Sequence, residues 1–314
     1  MRLLTIVFLF TSFHLFSQST DQQLANLYYG QGEFAKAAEY FGKFVNKNSP
    51  RVDVLHYTES LEKSMQVKEA EKTLKKWHSI FPGDMEYTLA LGELYERSDK
   101  KDQADKLYNE LIKESAFNGS AITNVATAFR KAGKYDLALK ALEAGRKELK
   151  KSYPLNVQFA ELYYATGKTN NMIDEYFSLL DEYPSYRQSI EETLSRQIDF
   201  SSAGESQLYN TLREKLLTRI QKKPDEVVYA EMLIWLYIQK REFRPALMQT
   251  EALDRREQGQ GGRVLDIAPT FVENKDYRTA KDAYRYVLDQ GENTPFYGQA
   301  YSSLLNVNFP RDHF

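Results

Sequence analysis

The tripeptide Gly167–Thr169, in the stretch YYATGKTNNM, is the part of this sequence that most resembles a catalytic motif. GKT ends a phosphate-binding loop in which the lysine contacts the phosphates and the hydroxyl contacts Mg²⁺. That loop also requires a glycine five residues earlier and a preceding β-strand. Position 162 is instead Leu162, within the run FAELYYA, which is helical in its pattern. We therefore predict that no nucleotide binds at Gly167–Thr169.

Other residues that could do chemistry are not grouped in a catalytic or metal-binding pattern. The four histidines, His14, His56, His78 and His313, never pair at the i, i+4 spacing of a helical metal site. The sequence has no GxSxG elbow and no cysteine, so a Ser nucleophile of that type and Cys-based zinc sites have no support. The adjacent acids Glu191 and Glu192 predict a solvated helix face. We expect no catalytic residue, no cofactor and no metal site.

The N-terminus, MRLLTIVFLFTSFHLFSQST, combines Arg2 with an apolar run from Leu3 to Phe16. A membrane-spanning helix needs about 20 apolar residues, so this run is too short. It is typical of a signal peptide over residues 1–17, with Gln18 as the first mature residue. We expect export to the periplasm or outer envelope of a Gram-negative bacterium, with no membrane span after cleavage. Without cysteine the mature chain is not a lipoprotein.

Charge gives no sign of a nucleic-acid partner. The chain has 42 basic and 44 acidic side chains, with a formal net charge of −2. A nucleic-acid-binding protein usually carries a one-sided basic patch. A length of 314 residues suggests two globular domains, but internal repeats override such an estimate.

One position, usually alanine, recurs along the chain at a nearly constant interval. The intervals are 33, then 34 three times, then 40, then 34 twice. The marker residues are Ala37, Ala70, Ala104, Ala138, Met172, Leu212, Ala246 and Ala280. A fixed period of this length is typical of repeat architectures.

Large and small residues flank these markers at fixed distances. Thirteen residues before the marker stands an apolar residue followed by a small one, as in Leu24 with Ala25, Leu91 with Gly92 and Phe159 with Ala160. Nine residues before it stand Tyr28, Tyr95, Phe129, Tyr163, Tyr237 and Phe271; four after it stand Phe41, Leu74, Tyr108, Leu142, Tyr176 and Tyr284. Spacings of three and four place these side chains on one face of each of two short helices.

With this pattern the sequence resembles the tetratricopeptide repeat (TPR) family over nearly all of residues 21–309. The resemblance implies an all-α fold: a TPR α-solenoid over residues 18–314, forming a right-handed superhelix of about eight helix pairs with a concave groove. A further helix begins at Thr294 and Pro295. It is either a cap or the start of a ninth unit that continues beyond Phe314, and the second alternative is favoured.

Two features depart from the family pattern, and two glycine-rich motifs are explained by it. The tryptophan often found early in the first helix is absent, and the sixth unit is six residues longer. Gly167 shares its register with Gly32 and Gly133, so we predict that it ends a helix in a left-handed conformation. The stretch QGQGGR, residues 258–263, is predicted to be a flexible turn between units.

The resemblance also predicts which side chains face the groove. They are Glu93, Arg97, Arg130, Lys131, Glu161, Tyr164, Met232, Trp235 and Ile238. The segment from Val227 to Phe243 is apolar nearly all round, so Val228, Met232, Trp235 and Ile238 are either groove residues or are covered by neighbouring units. TPR proteins that clamp a terminal carboxylate use Lys and Asn on adjacent first helices, and the corresponding positions here hold other residues.

These features favour a non-catalytic scaffold or adaptor that binds a protein partner, with no nucleic acid or nucleotide. The partner could belong to an outer-membrane assembly or secretion machine. The alternative is a surface glycan-capturing protein, because helical-repeat cores support such proteins and aromatic faces stack on sugars. Those proteins usually carry long insertions and a lipidated cysteine, and this chain has neither.

The interpretation of GKT gives the first testable prediction. We expect Lys168→Ala to change the free energy of unfolding by less than about 1 kcal/mol, as for an ordinary surface residue. Partner binding should also stay the same. Thermal shift with ATP and Mg²⁺ should leave the melting temperature of the wild type unchanged, and an increase would show that a nucleotide binds.

Overall fold

The computed structural model describes residues 20–201 and 206–308. All regular structure in these residues is helical, in seventeen α-helices with short 3₁₀ turns at Lys150–Ser152 and Pro184–Tyr186. The prediction of an all-α fold built from about eight helix pairs and a terminal helix is confirmed. The predicted signal peptide, residues 1–17, lies outside the described residues.

The helices alternate between a first and a second helix of each repeat. The first helices are α1 (Thr20–Gly30), α3 (Arg51–Lys63), α5 (Met85–Arg97), α7 (Gly119–Lys131), α9 (Asn156–Ala165), α11 (Arg187–Gln197), α13 (Val227–Gln239) and α15 (Gly262–Glu273). The second helices are α2 (Phe34–Phe44), α4 (Val67–Ile80), α6 (Lys101–Ser115), α8 (Tyr135–Leu149), α10 (Thr169–Glu182), α12 (Gln207–Lys222), α14 (Phe243–Glu257) and α16 (Tyr277–Leu288). The terminal helix is α17 (Tyr297–Asn308).

The chain divides into two compact units by its internal contacts. The first contains the described residues up to Ala128 together with Glu143–Glu148, and the second contains Phe129–Leu142 and the described residues from Leu149 onward. Within the first unit, each helix from α1 to α6 packs against the next. Within the second, each helix from α12 to α17 does so, and α10 also packs on α12. A single solenoid over residues 18–314 stays a prediction.

All eight marker residues are buried, and all lie in second helices. In seven of the eight second helices the marker is the fourth residue of the helix. The 34-residue period is therefore the interval between the starts of successive second helices, apart from α12. The small residue of the first helix makes room for the ring of the second. A Cβ added to Gly92 would lie 2.3 Å from the Tyr108 ring, far inside van der Waals contact.

The same turn joins the two helices of seven repeats. One residue adopts a positive φ, at Gly32, Met65, Asp99, Gly133, Gly167, Arg241 and Lys275. At the end of α9 the amide of Lys168 donates to the carbonyl of Tyr163 at 2.8 Å, and that of Gly167 donates to Tyr164 at 3.1 Å. These two bonds define a Schellman motif, which satisfies helix carbonyls that would otherwise lack donors. The prediction that Gly167 ends a helix is confirmed.

A buried carboxylate contacts the Gly-rich stretch between α14 and α15. The buried carboxylate of Asp254 accepts hydrogen bonds from the amides of Gly261 at 2.8 Å and Arg263 at 3.2 Å. The hydroxyl of Tyr286 donates to the same carboxylate at 3.2 Å. The stretch is therefore a turn between units, as predicted, and hydrogen bonds to Asp254 hold it; its flexibility stays a prediction.

The start of α17 differs slightly from the sequence expectation. The helix begins at Tyr297, two residues after Pro295. The hydroxyl of Thr294 donates to the carbonyl of Gly291 at 2.9 Å, and the backbone carbonyl of Thr294 accepts from the amide of Tyr297 at 3.3 Å.

The turn geometry gives the second prediction. Gly167 has a φ of +70° and open space around its Cα, so Gly167→Ala adds conformational strain without a clash. We expect the free energy of unfolding to fall by about 1 kcal/mol, because an L-residue pays roughly that amount in the left-handed region. The matched control is Gly298→Ala, in open space within α17, which should stabilise by about 0.5 kcal/mol. Urea denaturation measures the free energy of unfolding of both variants. If Gly167→Ala is as stable as the wild type, the left-handed conformation assigned to Gly167 is contradicted.

Candidate functional site

The first unit carries a groove between α3 and α5. We call it the α3–α5 groove; its volume is about 580 Å³, and it is lined by Leu55, Thr58, Glu59, Glu62, Lys63, Met65, Leu74, Ala90, Glu93 and Arg97. It contains two of the predicted groove residues, Glu93 and Arg97. The guanidinium of Arg97 donates to both carboxylate oxygens of Glu62, at 2.6 and 2.9 Å. Glu93 lies 3.6 Å from the same guanidinium. The charges of this groove are therefore largely paired with each other.

Four other predicted groove residues lie on α7 and α9 in the second unit. Arg130 and Glu161 form an ion pair, with 3.2 Å between Nη2 and Oε2. Lys131 is exposed at the end of α7, and Tyr164 is 48% exposed at the end of α9. These residues form an accessible polar surface with one exposed aromatic ring.

A second groove lies in the second unit, between α11, α13 and α15. We call it the α13–α15 groove; its volume is about 370 Å³, and it is lined by Arg187, Glu191, Glu231, Ile234, Trp235, Ile238, Thr250, Leu253, Arg263, Asp266, Ile267 and Thr270. Trp235 and Ile238 were predicted from the sequence, and both are partly exposed here. The groove therefore combines an apolar wall with charged side chains.

Alternating charges connect the three first helices that line this groove. Arg187 on α11 lies 2.8 Å from Glu191 and 3.3 Å from Glu231 on α13. Glu231 also lies 2.9 Å from Arg263 on α15, and Arg263 in turn pairs with Glu257. The carboxylate of Glu231 therefore forms ion pairs with two guanidinium groups from different helices. This network fixes the spacing of the helices behind the apolar wall.

Burial of Glu191 is the least expected part of this network. The residue is only 7% exposed, so the prediction of a solvated helix face is wrong for Glu191, while Glu192 is exposed. Burial raises the pKa of Glu191 above its ordinary value, against the nearby Arg187 guanidinium, which lowers it. A buried carboxylate of this kind needs its ion partner to stay charged.

Trp235 is the largest side chain in the groove wall. Its ring meets Phe200 edge to face, with 6.1 Å between centroids and 89° between planes. The sequence reasoning missed Phe200, which follows α11 in the six-residue insertion, and it missed Asp266 because that residue has no periodic signal.

Met232 is fully buried and offers no surface to a partner, so its prediction as a groove residue is wrong. The reason is that α13 packs against α11, α12 and α14, which together cover most of its circumference. Val228 is buried by the same neighbours. Of the four apolar residues that the sequence left ambiguous, only Trp235 and Ile238 reach the groove.

No group of three His, Asp or Glu side chains within them is placed to hold a metal ion. None of the helices in residues 20–201 and 206–308 is long and apolar enough to cross a bilayer. The two grooves offer shape, apolar contact and charge.

Comparison with known proteins identifies the repeats. Residues 22–49 and 88–116 match the family model described as tetratricopeptide repeat. A search of curated proteins returned no match. Similar solved structures include a tetratricopeptide repeat protein from Parabacteroides merdae, 12% identical, with 90% of this chain and 97% of that chain covered and a TM-score of 0.31. Another is the C-terminal part of a TPR repeat-containing protein from Cytophaga hutchinsonii, 14% identical, with 90% and 98% covered and a TM-score of 0.31.

Two segments of the chain, residues 22–49 and 88–116, are tetratricopeptide repeats by this match. The two matched segments contain most of α1 with α2 and of α5 with α6, and five further helix pairs repeat the same turn. Tetratricopeptide repeats generally mediate protein–protein interactions, and the fold is typically a non-catalytic interaction scaffold.

The buried carboxylate gives the third prediction. Because the folded state raises the pKa of Glu191, protonation of this residue favours folding. The charged carboxylate lowers the free energy of unfolding, and this destabilisation is fully present above the pKa of the folded state. We expect Glu191→Gln, which resembles the protonated acid, to be more stable than the wild type near neutral pH. The difference should shrink as the pH falls toward about 4.3, the ordinary value for glutamate.

Urea denaturation at several pH values measures this difference. Glu192→Gln, at the exposed neighbouring position, is the matched control and should change stability little. A Glu191→Gln protein that is less stable than the wild type at neutral pH would show that the Arg187 pair outweighs the burial.

Proposed function

We propose that this chain is an exported, non-catalytic adaptor that binds a partner protein in the α13–α15 groove. The observation that carries this proposal is the partial exposure of Trp235 and Ile238 within a groove lined by three consecutive first helices. Exposed tryptophan in a preformed pocket is the type of side chain that supplies most of the affinity at protein interfaces.

The arrangement around Trp235 supports a protein partner. An apolar centre surrounded by polar and charged residues is the usual anatomy of an interface between proteins. The ion pairs of Arg187, Glu231 and Arg263 hold the surrounding helices, so little ordering is needed when a partner binds. Rigid grooves of this kind recognise a partner by shape and side-chain complementarity.

Export is the second part of the proposal. It is supported by the basic residue Arg2 and the apolar run from Leu3 to Phe16, which together are typical of a signal peptide. We place the mature chain in the periplasm or at the outer envelope, where its partner would belong to an assembly or secretion machine.

The experiment is affinity purification from envelope extracts of the source organism, with the wild type, Trp235→Ala and Tyr277→Ala as baits. Tyr277 is 49% exposed on α16 and does not line the groove, so it controls for the loss of any exposed ring. We expect a reproducible protein partner with the wild type and with Tyr277→Ala. Capture by Trp235→Ala should fall about tenfold or more, because a central tryptophan anchor contributes about 2 kcal/mol or more.

The adaptor proposal would be contradicted if no bait captures a partner protein reproducibly. It would also be contradicted if Trp235→Ala captures as much partner as the wild type. Glycan-array binding that Trp235→Ala abolishes would instead favour the glycan-capturing alternative. Circular dichroism checks that each variant is folded. If its helical spectrum matches that of the wild type, a difference in capture reports binding and not folding.

A further inference from the structure

One edge of the α13–α15 groove carries carboxylates that have no cationic partner. Asp266 lines the groove on α15, and Glu273 lies two helical turns further along on the same side of that helix. Both residues are exposed. In the part of the chain that the structure describes, neither carboxylate forms an ion pair or a side-chain hydrogen bond. This edge therefore presents negative charge that the fold itself does not use.

The arginines of the groove do not neutralise this edge. Arg187 is paired with Glu191 and Glu231, and Arg263 is paired with Glu231 and Glu257. Each guanidinium therefore already has two carboxylates. The lining of the groove therefore carries three carboxylates, those of Glu191, Glu231 and Asp266, against two guanidinium groups. Glu273, further along α15, adds another negative charge beyond the lining.

The apolar wall beside this edge is suited to an uncharged side chain. Ile234, Trp235, Ile238 and Ile267 line it. An indole face also attracts an arginine or lysine that lies over it, by roughly 0.5–2 kcal/mol. A basic group held by Asp266 would therefore also be favoured beside Trp235.

We propose that the α13–α15 groove binds a segment of the partner protein in which an arginine or lysine neighbours an aliphatic or aromatic side chain. The inference rests on the proposed function and names the chemistry of the partner. The apolar side chain packs on Trp235 and Ile238, and the basic side chain pairs with Asp266. Glu273, two turns further along α15, attracts the same positive charge from a greater distance. An acidic segment is repelled by the same carboxylates.

Selection from a phage-displayed library of random peptides of about 12 residues tests this, with the full chain as the target and Trp235→Ala for counter-selection. We expect enriched sequences in which arginine or lysine adjoins an apolar residue and acidic residues are depleted. Enrichment of acidic or uncharged sequences that require Trp235 would overturn the inference and leave the adaptor proposal standing. No Trp235-dependent enrichment would count against both.

Charge variants then test the two carboxylates directly. The probe is the most enriched peptide, labelled with fluorescein, and the measurement is fluorescence anisotropy. Asp266→Asn with Glu273→Gln should raise the dissociation constant about fivefold at low salt, because two negative charges near the basic side chain are removed, and less at about 0.5 M salt. The matched control, Asp289→Asn with Glu292→Gln, changes two exposed acids outside the groove and should leave binding unchanged. Equal binding by both double variants would overturn the inference.

Discussion

In four of the eight repeats a small residue on the first helix faces a large ring on the second, and this packing sets how closely the two helices approach. The pairs are Ala25 with Phe41, Gly92 with Tyr108, Ala160 with Tyr176 and Ala268 with Tyr284. At Gly92 the ring of Tyr108 lies so close that even one added carbon atom would clash. Helices of 10 to 16 residues are marginal alone in water, so their stability comes from such contacts and from stacking on neighbours. A fixed distance between the small and the large residue constrains the length of the turn between the two helices of a repeat.

The same constraint explains which parts of the fold the sequence predicts. The markers read from the sequence stand at the fourth residue of seven of the eight second helices, and the sixth repeat, which carries the insertion, is the exception. Glycine marked only three of the seven left-handed turns. Met65, Asp99, Arg241 and Lys275 occupy the others, where the two hydrogen bonds of the turn offset the strain of a side chain at positive φ. Met65 is also 86% exposed, so its side chain gains nothing from burial.

The site was less predictable than the fold, because it depends on contacts between helices that are distant in sequence. Periodicity marks α13 as apolar all round but does not say which side its neighbours leave open, so it could not separate buried Met232 from partly exposed Trp235. It also gave no reason to pair Arg187 with Glu231, 44 residues away along the chain. Burial of Glu191 and the hydrogen bonds of the Gly-rich turn to Asp254 follow from such contacts too. The network positions the apolar wall, and the unpaired carboxylates on α15 give the groove its charge.

Quenching of tryptophan fluorescence by acrylamide tests most directly whether Trp235 is an open binding surface. The chain has two tryptophans, and the other, Trp77, is only 3% exposed and stacks on Phe81. The wild type should be quenched more strongly than Trp235→Phe, and addition of the protein captured from envelope extracts should remove that difference. Equal quenching of the two proteins, or a difference that the captured protein leaves unchanged, would contradict the account.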